Sequence, residues 1–211
     1  ISRPGEARER RRKKRSKPRV RQAPAPVEVD YRMAYVGTVS FVDVDGRCLR
    51  TARYFASAGR GPKELVDSMM RDVKQARRSE PELPLSVVQD GAVEMWNLLE
   101  AGLKKHKLSA HAELIDRYHL DEHLGTALRA GGDTPACCDE TRSEWNHPLD
   151  EDDDAIESIE AWVREHRERM GGKSGEALID ELTYLENSKH RMRYATARRA
   201  GFPVGSGATE G

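Results

Sequence analysis

The sequence predicts an α/β fold in which helices pack on a mixed β-sheet. Two stretches rich in β-branched and aromatic residues, 31–44 and 48–55, flank an Asp45-Gly46 dipeptide, which is a strong signal for a hairpin turn. After this hairpin, short apolar segments alternate with longer segments of helical periodicity. A mixed sheet covered by helices satisfies the resulting order of hairpin, helix, strand, helix, strand and helix.

Local signals predict where the next elements begin and end. Pro62 suits the first position of a helix. The apolar residues that follow it recur on one helical face, at Leu65, Val66, Met69, Met70 and Val73. We expect Met69 and Met70 to fill the core. The later elements are predicted as a strand at 85–89, a helix at 92–105, a strand at 112–118 and a helix at 119–129.

The polar region 131–154 is predicted to be a loop that leads into an acidic helix start. It ends in Asp150-Glu-Asp-Asp-Asp154, and acids in a first helical turn suit the helix dipole. Metal binding by this run is an alternative, although such runs are more often solvated surfaces. Helices are predicted at about 155–170 and 174–199. Trp96 and Trp162 are expected on the core-facing sides of their helices.

The formal net charge of zero conceals an uneven distribution. Residues 1–22 carry a net charge of +9, so the rest of the chain carries −9. Residues 1–27 are basic and then proline-rich, a composition that cannot bury a core. A basic segment of this kind favours an anionic polymer as partner, with nucleic acid first, while a solvated linker is the alternative. The candidate phosphate-binding residues are Arg10, Arg11, Arg12, Lys13, Lys14 and Arg15.

Other functional classes have little support. No stretch approaches about 18 consecutive apolar residues, and no apolar signal core follows the basic start, so we expect no membrane segment. Cys48, Cys137 and Cys138 have neither a disulfide pattern nor metal-ligand spacing. A reduced, cytoplasmic location is the expectation. Because the first residue is isoleucine, we also expect these 211 residues to be part of a longer chain.

Two carboxylates are candidates for metal chemistry. Asp90 directly follows an apolar strand, and residues at the carboxyl ends of strands line the ligand crevice of α/β sheets. Glu210 follows Gly205-Ser-Gly207, where Ser206 is placed to cap a helix. Carboxylates from separate elements can hold the hard divalent ions used in phosphodiester chemistry. The alternatives are a helix-capping role for Asp90 and a flexible linker at 205–207.

Asp116 and His119 form an Asp-x-x-His step at the end of the last predicted strand. They are either an auxiliary pair near the metal site or a hydrogen-bonded pair that closes the junction between strand and helix. His123 shares a helical face with His119, so a two-histidine metal site is a third option. In the last helix, Arg191, Arg193 and Arg198 suggest a phosphate-facing surface, with a solvated face as the alternative.

Several stretches together resemble a known family. They include Val29 to Val39, Gln89-Asp-Gly91 through Leu99, Leu114-Ile-Asp-Arg-Tyr-His-Leu120, Tyr184-Leu-Glu-Asn187, Arg191-Met-Arg-Tyr194 and Gly205-Ser-Gly-Ala-Thr-Glu210. In this order they resemble the catalytic region of bacterial insertion-sequence transposases of the Asp-Asp-Glu type, which have an RNase H-like core. The ordered set spans nearly the whole chain from residue 28 onward.

The resemblance implies an RNase H-like mixed sheet that is incomplete here. It makes Asp90 the second catalytic carboxylate and Glu210 the third, while the first is expected on a strand upstream of the basic segment. Asp43 and Asp45 are expected to be hairpin-turn residues instead. The implied organisation is a basic, proline-rich loop at 1–27, a core segment at 28–130, a helical insertion at 131–200 and the start of the glutamate helix at 201–211.

The resemblance also implies a function for the intact protein. It would cleave and join DNA at insertion-sequence ends with Mg²⁺ or Mn²⁺, act on transposon ends and target DNA as a homo-oligomer, and associate with the bacterial nucleoid in the cytoplasm. With its first carboxylate missing, the chain is expected to be inactive alone. The alternative is a non-catalytic, nucleic-acid-binding remnant of a decayed transposase.

Overall fold

Residues 34–56 and 61–205 are described by a computed structural model, and they form two small β-sheets and a set of α-helices. In chain order the elements are β1 (Tyr35–Val42), β2 (Cys48–Ala56), α1 (Pro62–Ser79), β3 (Ser86–Gln89), α2 (Val93–His106), β4 (Ala112–Ile115), α3 (Arg117–Ala130), α4 (Pro135–Glu151), α5 (Ala155–Arg169), α6 (Gly172–Ser188), a 3₁₀ turn (Lys189–Arg191) and α7 (Tyr194–Arg199). The predicted α/β class is confirmed.

The first sheet is the predicted antiparallel hairpin. Its turn is closed by Asp43, whose carboxylate accepts hydrogen bonds from the backbone N–H groups of Asp45 and Arg47 at 3.0 and 2.8 Å. Gly46 supplies the positive φ of 77° that the turn needs. Helix α1 packs closely on one face, because a Cβ on Gly37 would lie only 2.6 Å from the sulfur of Met69. Asp43 therefore serves the turn, as predicted.

The second sheet is a parallel pair formed by β3 and β4. The register joins Ser86 to Ala112 at one end and Gln89 to Ile115 at the other. Among the described residues β1 pairs with β2 alone and β3 with β4 alone, so the strands do not form the one continuous mixed sheet that the sequence predicts. Helix packing connects the two sheets instead, since α1 contacts both the hairpin and α2.

A hydrogen-bonded group around the partly exposed Asp67 joins α1 to α2. The carboxylate of Asp67 lies 2.7 Å from Nε2 of the buried His106 and 2.6 Å from Nζ of Lys105. These hydrogen bonds, from Lys105 first and then from His106, lower the pKa of Asp67 to about 2. Close by, Gly102 lets the helices approach, because a Cβ there would meet Val66 at 2.7 Å.

The helical region differs from its prediction at α4 and at the start of α3. Residues 135–151 form helix α4 where a loop was expected, because Thr134 caps the helix through the N–H of Cys137 and Pro135 occupies its first turn. Helix α3 begins at Arg117, two residues before its predicted start, and β4 ends at Ile115. The prediction of a loop over most of 131–154 is therefore wrong.

The last predicted helix, 174–199, is interrupted. Helix α6 ends at Ser188, a 3₁₀ turn follows, and α7 begins at Tyr194. Met192 and Tyr194 are fully buried, and the Tyr194 hydroxyl donates to the carbonyl of Ile115 at 3.1 Å. Residues two apart point to nearly opposite sides of a straight helix, which could not bury both side chains in this core, so core packing overrides the helical periodicity. No helix in the described ranges is long and apolar enough to cross a membrane.

The Asp67 group predicts a pH dependence of stability. Since the pKa of Asp67 is about 2 in the folded protein and about 3.9 in an unfolded chain, its ionised form favours folding above about pH 4, and this contribution is lost as the pH falls towards 2. We expect Asp67→Asn to flatten the fall in unfolding free energy between pH 5 and pH 2, measured by urea titration at each pH. Asp45→Asn, a change in an exposed turn residue, should leave that fall unchanged; equal pH profiles for Asp67→Asn and the unaltered chain would contradict the prediction.

Candidate functional site

Asp90 lies at the carboxyl edge of the parallel sheet, as the sequence predicts. It is exposed, and its Oδ1 accepts hydrogen bonds from the N–H of Ala92 at 3.1 Å and from the side-chain amide of Gln89. The strand ladder continues to this edge, because the N–H of Asp116 donates to the Gln89 carbonyl at 2.8 Å. Asp90 and Asp116 therefore follow neighbouring strands at the same edge.

Asp116 has a structural role at this edge. It is only 4% exposed, and its Oδ1 accepts from the N–H groups of Tyr118 at 2.8 Å and His119 at 3.4 Å. These bonds satisfy free donors at the start of α3. The His119 side chain instead approaches Glu122, with 3.5 Å between Nδ1 and Oε2. Asp116 thus closes the junction between β4 and α3. An auxiliary role of Asp116 and His119 at a metal site stays a prediction.

Gly91 explains why a glycine follows the candidate aspartate. Its φ is +101°, a conformation that side chains rarely adopt. A Cβ on Gly91 would also lie 3.0 Å from Cε2 and 3.2 Å from the hydroxyl of Tyr184. The turn that presents Asp90 is therefore packed directly against a tyrosine from α6, a helix far along the chain.

Tyr184 belongs to a small cluster between α3 and α6. Its ring stacks on that of His123, with 3.6 Å between centroids and an angle of 12° between planes. Nδ1 of His123 lies 2.6 Å from Oε2 of Glu181. Glu181 is a buried residue, with 9% of its surface exposed. The rings of His119 and His123 are 4.9 Å apart and nearly perpendicular. We call Glu181, His123 and Tyr184 the edge cluster.

The electrostatics of the edge cluster keep Tyr184 protonated. Burial raises the pKa of Tyr184 well above its usual range, and the negative charges of Asp90, Glu181 and Asp116 raise it further. Its hydroxyl is thus a hydrogen-bond donor at any physiological pH. The sequence alone did not single out Glu181, and it placed Tyr184 only within a family-like stretch. The sequence shows that Glu181 and Tyr184 are three residues apart on one helix, but it does not show that α6 packs against α3.

The segment before Glu210 reaches the same edge. The carbonyl of Val204 accepts a hydrogen bond of 3.0 Å from the N–H of Arg117, the residue directly after Asp116. Gly205 follows, and a Cβ there would lie 3.3 Å from the ring of Tyr118. Glu210 itself, like the basic residues Arg10 to Arg15, lies outside the described residues. The structure therefore brings the chain to within five residues of Glu210 beside the end of β4.

The arginines around α7 face an acidic segment of the same chain. Nε of Arg193 lies 3.3 Å from Asp153, and Nε of Arg198 lies 3.1 Å from Asp150. Asp153 also accepts from the N–H and hydroxyl of Thr196. Although burial raises the pKa of Asp153, the hydrogen bonds from Thr196 and Arg193 outweigh it and lower that pKa. The acidic run at 150–154 thus holds α7 in place.

Arg191 is used differently from the other two candidate DNA-binding arginines. Its side chain is 16% exposed, and it bonds to Glu100 at 2.6 Å and Glu113 at 3.2 Å. Its guanidinium also lies 4.0 Å from the ring centroid of Trp96. Arg193 and Arg198 retain 65% and 49% exposure of their side chains. DNA contact by all three residues stays a prediction, and the exposed pair is better placed for it.

No family model matches the chain, and no curated protein or solved structure is significantly similar to it. Within residues 34–56 and 61–205, no group of three or more His, Cys, Asp or Glu side chains is arranged to hold a metal ion. Asp90 is a single exposed carboxylate, a suitable donor for Mg²⁺ or Mn²⁺. Of the two candidate ligands, Asp90 lies within the described residues and Glu210 outside them, and metal binding by both stays a prediction.

The contact between Gly91 and Tyr184 gives a direct test of this geometry. We expect Gly91→Ala to lower the free energy of unfolding by about 1–3 kcal/mol, because the new side chain meets both an unfavourable φ and the tyrosine ring. Urea unfolding measures this change. Gly61→Ala, at a position with nothing within 4 Å of the added Cβ, should lower stability by less than about 1 kcal/mol, the cost of placing alanine at the N-cap of α1. Equal stabilities of the two variants would contradict the described turn.

Proposed function

We propose that the chain is the catalytic region of an Asp-Asp-Glu transposase with an RNase H-like fold. One observation carries the proposal: Asp90 and the segment leading to Glu210 meet at the carboxyl edge of the β3–β4 pair. Val204 bonds to the residue after Asp116, and Asp116 bonds to the residue before Asp90. Catalytic carboxylates from distant parts of a chain must converge in this way to share divalent ions.

The division into two sheets also supports an incomplete RNase H-like sheet. Among the described residues, β1 and β3 each pair on one side only. One further strand that paired with both would produce the single mixed sheet that the sequence predicts. The family resemblance expects one such strand, carrying the first carboxylate, outside the given residues. The fold proposal and the missing ligand thus have the same explanation.

The chemistry assigns a distinct task to each part of the edge. Asp90 offers an exposed carboxylate oxygen as a metal ligand, Glu210 is proposed as another, and Asp116 holds the start of α3 at the edge where Asp90 lies. A divalent ion, when bound, supplies the positive charge that activates water or a DNA 3′-hydroxyl for attack on a phosphodiester. The positive φ of Gly91 directs the chain sharply away after Asp90, which keeps that carboxylate at the surface.

DNA binding is proposed to use two basic regions. The first is Arg10 to Arg15 within the segment of net charge +9. The second is the exposed pair Arg193 and Arg198 on and beside α7. Both regions would contact phosphates, which fixes position on DNA without reading its sequence.

The catalytic role of Asp90 predicts a separation of cleavage from binding. In the full-length protein, Asp90→Asn should lower Mg²⁺-dependent cleavage of transposon-end DNA by about a thousandfold or more, since an ion's contribution of several kcal/mol is lost. DNA affinity, measured by fluorescence anisotropy, should change less than about threefold. Glu94→Gln removes an exposed carboxylate four residues further on and should cleave normally. A fully active Asp90→Asn protein would overturn the proposal; binding without any cleavage by the unaltered full-length protein would favour the non-catalytic remnant.

The basic segment predicts a steep dependence of DNA affinity on salt. Each phosphate contact contributes about −0.9 to the slope of log K against log salt concentration on duplex DNA. We expect deletion of residues 1–22 to make that slope shallower, by about 0.9 for each of several lost phosphate contacts. Fluorescence anisotropy between 50 and 300 mM NaCl measures the slope. Replacing the same residues with a Gly/Ser segment of equal length controls for chain length. An unchanged slope would identify residues 1–22 as a linker.

A further inference from the structure

The hydroxyl of Tyr184 is buried without a hydrogen-bond partner. It is inaccessible to solvent, and no described residue offers it an acceptor at hydrogen-bonding distance. A buried polar group in this state destabilises a folded protein, and such groups are rare in native structures. An unpaired donor beside a proposed catalytic carboxylate therefore calls for a functional explanation.

The edge cluster fixes where this hydroxyl lies. Stacking on His123 holds the tyrosine ring, and the bond between His123 and Glu181 holds the histidine. The hydroxyl end of the ring lies against Gly91, immediately after Asp90. A donor held by two side chains on two helices has little freedom to find a partner elsewhere.

Three carboxylates lie near enough to affect Tyr184 electrostatically, and their roles differ. Glu181 already accepts from His123, and Asp116 accepts from the first N–H groups of α3. Asp90 is the exposed one of the three. Its Oδ1 accepts from the N–H of Ala92 in the turn before α2 and from the side-chain amide of Gln89. A rotation of the Asp90 side chain would exchange these bonds for one with the hydroxyl that lies against the next residue, Gly91.

We propose that Tyr184 is a positioning residue for Asp90, whose carboxylate accepts the Tyr184 hydroxyl hydrogen bond when it turns outward to a divalent cation. This inference rests on the proposed function, because it assigns a cation to Asp90. The hydrogen bond occupies one carboxylate oxygen and directs the other towards the ion. Partners of metal ligands act in this way, and their loss typically weakens metal affinity or activity about 10–100-fold. Helix α6, within the predicted helical insertion, thereby becomes part of the site.

Tyr184→Phe tests the role because it removes the hydroxyl and keeps the stacked ring. In the full-length protein without metal, the variant should be at least as stable as the unaltered protein, since an unpaired buried hydroxyl is lost. Its affinity for Mn²⁺, measured by isothermal titration calorimetry, should fall about 10–100-fold. A purely structural tyrosine would show the opposite pattern, with lower stability and unchanged Mn²⁺ affinity.

Tyr54→Phe is the matched control. The Tyr54 hydroxyl donates to Asp72 on the hairpin side of α1, so its loss should lower stability and leave Mn²⁺ affinity within twofold. In the same titration, the Mn²⁺ binding that is lost in Asp90→Asn is the binding that belongs to the site. If Mn²⁺ binding depends on Asp90 but has the same affinity in Tyr184→Phe as in the unaltered protein, this inference is overturned and the proposed function stands. The same conclusion follows if Tyr184→Phe, without metal, loses as much stability as Tyr54→Phe. If the unaltered full-length protein shows no Mn²⁺ binding that depends on Asp90, both proposals fall.

Discussion

The short parallel pairing of β3 with β4 is the constraint on which the candidate site depends. Four residues of each strand pair in register, and one more ladder bond, from Asp116 to Gln89, carries the pairing to the strand ends. A shift of this register by one residue would break the ladder bond between Asp116 and Gln89 and would move Asp90 away from Asp116. The pair is stabilised by burial of Leu114 and Ile115, each 1% exposed, and by the Tyr194 bond to the Ile115 carbonyl.

Helices from the second half of the chain complete this edge. Helix α3 starts at the edge, capped by Asp116, and α6 returns across it with Tyr184 against Gly91. The residues between 131 and 200 therefore do more than extend the fold. They set the surroundings of Asp90, and the interruption between α6 and α7 lets the chain turn back to β4, where Val204 meets Arg117. Sites built on packed helices and strands hold their geometry better than sites on free loops.

Sequence reasoning succeeded where the signal was local. The Asp45-Gly46 turn, Pro62 at the start of α1 and the strand before Asp90 were all predicted from a few adjacent residues. It failed where distant contacts decide the outcome. The break before Tyr194 depends on burial against β4, and the edge cluster depends on which helices pack together, which no periodicity reveals. Helix α4 is a different failure, because Thr134 and Pro135 were a readable start signal that the acidic composition of the region outweighed.

The pairing of α7 with the acidic segment has a consequence for how anions compete at this surface. Each arginine meets its carboxylate through Nε, so its terminal guanidinium N–H groups can engage a phosphate while Asp153 and Asp150 stay in place. The nearby carboxylates still reduce the net attraction of this surface for an anion. The arginine side chains, however, are already ordered, and the entropy of fixing them is spent during folding. A surface of this type discriminates by shape, since it favours a ligand whose oxygens reach the guanidinium edges that the two carboxylates leave open.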